Sequence, residues 1–346
     1  MDSNLKADAN AVLLPAFAST ELSDATKRFL NEGGISILLG ETRAEYVDRK
    51  VSDKRRLNET PNTFKQVVQE AKSYSESLLV CVDQEIGGIC RLHDLVPQFP
   101  ATADLPTSST QIIEQTAFEV GRTATEMGVN CFLAPVLDLL SGLNPWLQGR
   151  TYSNDPDVVG RVSAAYVHGV QRGGVAATGK HFPGYHKIAL DPAIETDAIN
   201  IEPATSYDPG FEPFRDVIAA NIEMIMVGPA IAAAFDDKVA ALRSKTVINL
   251  LKDNLQFRGL VMADDLDSKA TMRGDSVEQV AIDAINAGCD FLLLADIGNQ
   301  LDNVSNALAK AADSSQISRA TLSASARKVR ALAQKYQTLI PRTIAE

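Results

Sequence analysis

The chain has 346 residues, of which 45% are hydrophobic and 22% charged. That length and apolar content suffice for a sizeable buried core and exclude a disordered chain. The formal charge of −11, from 33 basic and 44 acidic residues, argues against a nucleic-acid partner, because no basic surface run offsets it.

The first element in chain order is Val12–Phe17, a continuous apolar run of strand size. Ser23–Leu30 then reads as a short helix, with Ser23 as N-cap and Gly33-Gly34 closing it. Strand-sized runs come next at Ile35–Leu39, Leu78–Val82 and Cys131–Val136. A helix over Ile112–Met127 precedes the last of these, with a common stripe of Ile112, Thr116, Val120, Thr123 and Met127. Val158–Arg172 is helical and stops at Gly173-Gly174, before the run Val175–Ala177. Glu212–Ala220 leads into the run Met224–Val227, and Thr246–Leu255 into Leu260–Met262. Ser276–Ala287 gathers Val277, Val280, Ala281, Ala284 and Ile285 on one face and ends at Gly288, ahead of Phe291–Leu294. A last helix over 319–337 packs on the outside.

Eight nearly continuous apolar runs separated by helices predict a (β/α)8 TIM-like barrel, formed as one domain over 1–346. An open, doubly wound sheet is the rival, but no GxGxxG or GxxxxGK[ST] comes after any run. Cys81, Cys90, Cys131 and Cys289 form no CxxC and read as free, mostly buried thiols of a reducing compartment. No run of 18 uncharged apolar residues predicts a membrane span, and the start MDSNLKADAN lacks the order of a secretory signal. A cytoplasmic protein is expected, as a monomer or a homodimer.

The residues just beyond each run carry the chemistry. Leu78–Val82 is succeeded by Asp83-Gln84-Glu85, Cys131–Val136 by Leu137-Asp138, Val175–Ala177 by Gly179-Lys180-His181, and Leu260–Met262 by Asp264-Asp265. Polar groups at several strand C-termini converge on one mouth, where barrel enzymes build their sites. Lys180 and His181 are adjacent, so one is expected to face the mouth while the other braces it. Strand twist likewise aims only one of Asp264 and Asp265 at a ligand, and that one is a candidate nucleophile. Metal chemistry has little support in four histidines with no HExxH, although carboxylate spacing alone leaves a magnesium site open.

At these residues the chain resembles the N-terminal barrel of glycoside hydrolase family 3, nearest the single-domain bacterial β-N-acetylhexosaminidases. The resemblance rests on Asp83–Leu92 (family D-Q-E-G-G-R-V-x-R-L), Ala134–Asp138 (A-P-V-x-D), Gly149–Tyr152 before Asp155-Pro156, an intact K-H-F-P-G at Lys180–Gly184, Ala263–Leu266 ([ST]-D-x-L) and Ala287–Asp290 (A-G-C-D). It implies a retaining hydrolase for a small soluble amino-sugar glycoside, with Asp264 as nucleophile forming a covalent glycosyl-enzyme. It also implies that Asp83, Arg150, Lys180 and His181 bind the sugar hydroxyls, and it implies no cofactor and no metal.

Departures from the family pattern fall around that core. The family continues after K-H-F-P-G as H-G-x-x-x-x-D-S-H, and its last histidine is the acid/base. Here Asp191 stays in register, but Ala193 stands at the histidine position. Replacement proton donors in the same stretch are His186, Asp191, Glu195 and Glu202. Ile86 and Gly88 replace a Gly and the Arg of D-Q-E-G-G-R, Pro229 stands at a further family histidine, and Ala240–Ser244 departs from P-A-[ST]-x-S. Three readings are open: an N-acetylhexosaminidase; a glycosidase, transglycosylase or phosphorolytic enzyme of altered preference; or a sugar-binding protein on the same scaffold.

Overall fold

A computed structural model describes residues 3–139, 141–295 and 300–338. Its strands are β1 Leu13–Phe17, β2 Ser36–Leu39, β3 Leu79–Val82, β4 Cys131–Phe132, β5 Ala176–Phe182, β6 Ile199–Asn200, β7 Met224–Val227, β8 Ile231–Ala232, β9 Leu260–Ala263 and β10 Phe291–Leu294. Eight of them pair in parallel and close into a barrel in the order β1-β10-β9-β7-β5-β4-β3-β2. The closed order rules out the open sheet. The apolar runs read as continuous because helices cover the outside while side chains fill the inside. Polar groups within this core are satisfied locally: the buried Ser36 hydroxyl donates to the Leu13 carbonyl at 2.6 Å, and the Asn130 side chain joins the Val80 N–H to the Leu78 carbonyl.

The expected helices exist with shifted ends, and their caps explain the ends. Ser23 accepts from the Thr26 N–H and starts the helix Asp24–Asn31. Ser276 accepts from the Gln279 N–H, and Gly288, at φ 115°, ends the helix Val277–Ala287 in the left-handed region that glycine tolerates. Helices at Ser3–Ala11, Pro61–Lys72 and Gln300–Asp313 complete the outer ring, as does Arg319–Thr338. The short parallel pair of β6 and β8 lies outside the barrel.

Of the stripe expected on the helix Thr110–Glu126, Val120 and Met127 are buried and Thr116 and Thr123 half-buried, but Ile112 is 55% exposed and Ile113, Ala117 and Ala124 are buried in addition. The buried face is chosen by close backbone approach to the helix Pro156–Arg172. A Cβ on Gly169 would sit 2.3 Å from the Glu114 carbonyl oxygen and 2.5 Å from the Ala117 Cβ. Small residues such as Gly169 and Ala117 meet at that interface.

The helix Arg319–Thr338 packs against the helix Ser3–Ala11 and reaches β3. Arg330 pairs with Asp8 at 2.6 Å, and Lys328 reaches both oxygens of Asp290 at 3.0 Å. Asp290 also accepts from the Val261 N–H and the Ser325 hydroxyl. It precedes β10, at the end of the barrel away from the mouth, so its work is structural. Cys81, Cys131 and Cys289 are buried, Cys90 is partly buried, and all four are free. Among the described residues no helix is long and apolar enough to cross a membrane.

Candidate active site

The C-terminal ends of the strands meet in a small pocket. Its lining includes Asp83 beyond β3, Arg150 from the loop after β4, Lys180 and His181 of β5, and Asp264 beyond β9. These five sequence candidates are thus brought together. The volume is about 40 Å³, space for little more than water. An adjoining cavity of about 580 Å³ shares Tyr46, Asp83, Asp265 and Leu293 with it and falls in the size range of ligand sites.

Two expectations about orientation are corrected here. Lys180 and His181 both line the pocket, and both lie inside β5 rather than in a loop after it. The pairing of β5 with β7 shifts register between Lys180 and Phe182, so strict alternation of side chains does not hold there. Asp264 and Asp265 also both border the pocket. They come after the last residue of β9, where pleated alternation has ended.

A buried charge network fixes the polar wall. The Lys180 ammonium donates to Asp83 at 2.6 Å and lies 2.8 Å from Glu85. Arg150 grips Glu85 through Nη2 at 2.8 Å and Nε at 3.2 Å. Burial alone would raise the Glu85 carboxyl, but Arg150 and Lys180 outweigh it and hold it well below the usual carboxylate range. Burial opposes the Lys180 charge, and Asp83 and Glu85 restore it, leaving the ammonium above its ordinary value. Gly88 makes this grip fit: a Cβ there would lie 2.0 Å from Glu85 Oε2 and 3.0 Å from Arg150 Cγ.

Asp138 sets the histidine. It accepts from the His181 Nδ1 at 2.8 Å and from the backbone N–H groups of His181 and Tyr185. His181 Nδ1 therefore carries the proton, and Nε2 faces Arg150 at 3.4 Å and Asp264 at 3.9 Å. Burial, with Arg150 and Lys180 nearby, pushes the imidazole well below its ordinary value, so it is neutral. Trp146 packs beside it with the rings tilted at 43° and their centroids 4.4 Å apart, and donates its indole N–H to the Tyr46 hydroxyl at 3.1 Å.

Asp264 accepts one hydrogen bond from the Asp265 N–H at 2.8 Å. Burial pushes its carboxyl up to about 6, against that bond and the positive charges of Lys180 and Arg150. It is ionised at neutral pH and only lightly bonded, as a nucleophilic carboxylate requires.

Sequence reasoning assigned no role to Glu85, Tyr46, Trp146 or Asp138. Glu85 and Asp138 had a signal, standing within the motifs at strand ends. Tyr46 and Trp146 had none, being 100 residues apart in loops and helices whose packing alone joins them. The lining also includes the apolar residues Leu133, Ala193, Met226, Pro229 and Leu293. His186 and Asp191 do not line the pocket. His186 packs its ring edge-on against Tyr207, 5.4 Å between centroids, and Asp191 accepts from the Ala193 N–H at 2.9 Å. Glu195 is exposed, and Glu202 pairs with Lys187 at 3.1 Å. Among the described residues, no group of three or more His, Cys, Asp or Glu is arranged to hold a metal ion.

The glycosyl hydrolase family 3 N-terminal domain model matches residues 13–332. The chain belongs to this family. A β-hexosaminidase of Nitrosomonas eutropha is 30% identical over 243 residues, covering 68% of this chain and 69% of that protein. A β-hexosaminidase of Glaesserella parasuis is 29% identical over 288 residues, covering 82% and 81%. Among solved structures, a family 3 β-N-acetylglucosaminidase from Paenibacillus superposes with a TM-score of 0.87 at 24% identity. That match covers 99% of this chain and 64% of the Paenibacillus chain, so this chain spans less than two thirds of that structure. A β-N-acetylhexosaminidase from Beutenbergia cavernae gives 0.81 at 21% identity, covering 95% and 98%. At those identities the family 3 structures establish a shared barrel.

Proposed function

We propose that the chain is a retaining glycoside hydrolase of the N-acetylhexosaminidase type, acting on small soluble amino-sugar glycosides through a covalent intermediate on Asp264. The observation that carries this reading is the placement of Asp264: a buried, lightly bonded carboxylate 3.9 Å from a neutral His181, beside Asp83, Arg150 and Lys180. In the first step an Asp264 oxygen bonds to the anomeric carbon as the bond to the leaving oxygen breaks. Water then displaces Asp264, and two inversions return the original configuration. Asp83, Arg150, Lys180 and His181 hold the sugar hydroxyls, with Glu85 and Asp138 fixing the cation and the imidazole that do so.

Protonation of the leaving oxygen distinguishes this chain. By the family resemblance Ala193 stands at the acid/base position; it borders the pocket, and an alanine transfers no proton. His186 and Asp191 remain the loop's nearest titratable groups by sequence, and reaching the pocket would need the loop to rearrange. Without such movement the proton comes from solvent, and the enzyme favours leaving groups that depart as stable anions. The same gap favours a second reading, transfer of the glycosyl group to an anionic acceptor such as phosphate, which needs no general base.

Product configuration tests the proposal. Proton NMR of the first product from an activated aryl β-N-acetylglucosaminide should show the β anomer, or β-configured azide adduct when azide is added. The α anomer, or equal turnover by Asp264→Ala, would refute it.

A further inference from the structure

The His181 imidazole stands between two carboxylates that compete for its one ring proton. Asp138 Oδ2 lies 2.8 Å from Nδ1, and Asp264 Oδ2 lies 3.9 Å from Nε2. The ring is neutral, because burial and the charges of Arg150 and Lys180 oppose a second proton. It can therefore donate to one carboxylate only. Asp138 is the nearer and the more firmly held. Its side chain is buried, and it also accepts from the His181 N–H at 3.0 Å and the Tyr185 N–H at 2.7 Å, which fixes both of its oxygens. Tyr185 is anchored in turn, its hydroxyl donating to the Ala230 carbonyl at 3.0 Å and its carbonyl accepting from the Asn144 side chain. Burial raises the Asp138 carboxyl to about 6, so at neutral pH it is an anion and an acceptor. Nε2 is left with a lone pair, faced by Arg150 Nη2 at 3.4 Å, and gives Asp264 no hydrogen bond.

We propose that Asp138 is a positioning residue that acts on the nucleophile through His181. By taking the ring proton at Nδ1 it withholds that proton from Asp264, whose carboxylate stays free to attack. The inference rests on reading Asp264 as the nucleophile. Without Asp138, the remaining carboxylate in reach of the ring among the described residues is Asp264, so the proton moves to Nε2 and is donated there. A hydrogen bond to the anion stabilises it and lowers its reactivity. The altered ring also turns an N–H towards Arg150, which has only N–H groups to offer in return.

Nitrogen-15 NMR of the imidazole rings reads the tautomer in the free protein, and with four histidines in the chain the His181 signals are assigned by their loss in His181→Phe. Wild type should carry the ring proton on Nδ1, and Asp138→Ala should carry it on Nε2. A dinitrophenyl β-N-acetylglucosaminide needs no proton donor, so its burst rate reads the attack of Asp264 alone. In Asp138→Ala that rate should fall by about 10- to 100-fold, the worth of one hydrogen bond to a charged group. A packing role alone would lower the rate equally whether or not residue 181 carries a proton. In a His181→Phe background the same change at 138 should instead cost less than about twofold. A loss of equal size in both backgrounds would overturn the proposal, as would an Asp138→Ala ring that keeps its proton on Nδ1. If Asp138→Ala does not fold, the wild-type spectrum still decides, since a proton on Nε2 there overturns the proposal and one on Nδ1 supports it. Failure of the catalytic reading is distinguishable: wild type then shows no burst that depends on Asp264, whichever nitrogen carries the proton.

Discussion

On the proposed reading, replacing Ala193 by histidine would supply the proton donor that the family resemblance places there, at a residue that borders the pocket two positions from Asp191. General acid–base assistance is worth about 10²–10⁴ in rate. Ala193→His should therefore raise kcat/KM for an unactivated disaccharide by about that factor, and raise kcat/KM for a dinitrophenyl glycoside far less. Steady-state rates on the two substrates check this. Asp264 makes a second prediction at the same scale. Its carboxyl is held at about 6, and only the anion attacks, so kcat/KM should climb with pH through about 6 and level off above it. The wild type should show no falling limb from a general acid, and Ala193→His should gain one. The sign for stability is opposite. A carboxyl raised above its unfolded value is uncharged and unpenalised at low pH, and it loses stability as pH rises towards 6. Asp264→Asn should be more stable than wild type at pH 7 by on the order of 2 kcal/mol, with the difference vanishing near pH 4.

The segment after β2 is tied down by one carboxylate. Glu45 closes a capping box with Thr42 on the helix Arg43–Asp48, accepts the Ser52 N–H at 2.8 Å and pairs with Arg55 at 2.6 Å. Burial works against its charge, yet these bonds outweigh it and hold the carboxyl at about 2. Tyr46 rides on this helix into both cavities. Glu45→Ala removes a cap and one partner of a buried ion pair, while Arg55 keeps Glu59. A loss of about 3 kcal/mol in denaturant unfolding is expected. That contribution is present above the ordinary Glu range and fades as pH falls towards 2. Weaker sugar binding should accompany it, through Tyr46. Elements of this kind mark where sequence reading ends. The eight core strands were legible because burial on both faces writes a continuous apolar run. Met224–Val227 and Phe291–Leu294 have the very ends their runs suggest. The run Cys131–Val136 shortens to two strand residues, and Val175–Ala177 lengthens through Lys180 and His181, because local geometry rather than hydropathy ends a strand. Asp83, Arg150, Lys180, His181 and Asp264 were legible as polar residues beyond strand ends or in intact motifs. The register shift that turns both Lys180 and His181 inward leaves no trace in composition, and neither does the packing that joins Tyr46, Trp146 and Arg150.

The whole molecule is a barrel with its chemistry at one end and its closure at the other. Parallel pairing of β1 with β10 closes the ring, and the helix Arg319–Thr338 packs against the chain's first helix. That last helix buries Leu322, Val329, Leu332 and Tyr336. At about 1.5–3 kcal/mol for each buried apolar side chain, its docking is comparable with the total stability of a domain, about 5–15 kcal/mol. Ending the chain after Ser318 should therefore abolish cooperative unfolding, as read by calorimetry, although every pocket residue lies before that point. At the mouth, Asp83, Glu85, Arg150 and Lys180 form one ion-pair network, and Ala193 and Pro229 border the same pocket. On the proposed reading, with Asp264 as nucleophile and Ala193 in place of an acid/base, the first half of the reaction should run on activated substrates while the second half stalls. The most direct test is the first turnover of a dinitrophenyl β-N-acetylglucosaminide in a stopped-flow instrument, on wild type and Asp264→Ala. A burst of one dinitrophenolate per wild-type active site and then a slow steady state, with no burst from the variant, is the predicted result. A linear trace from wild type, or a burst that survives in Asp264→Ala, would contradict the account.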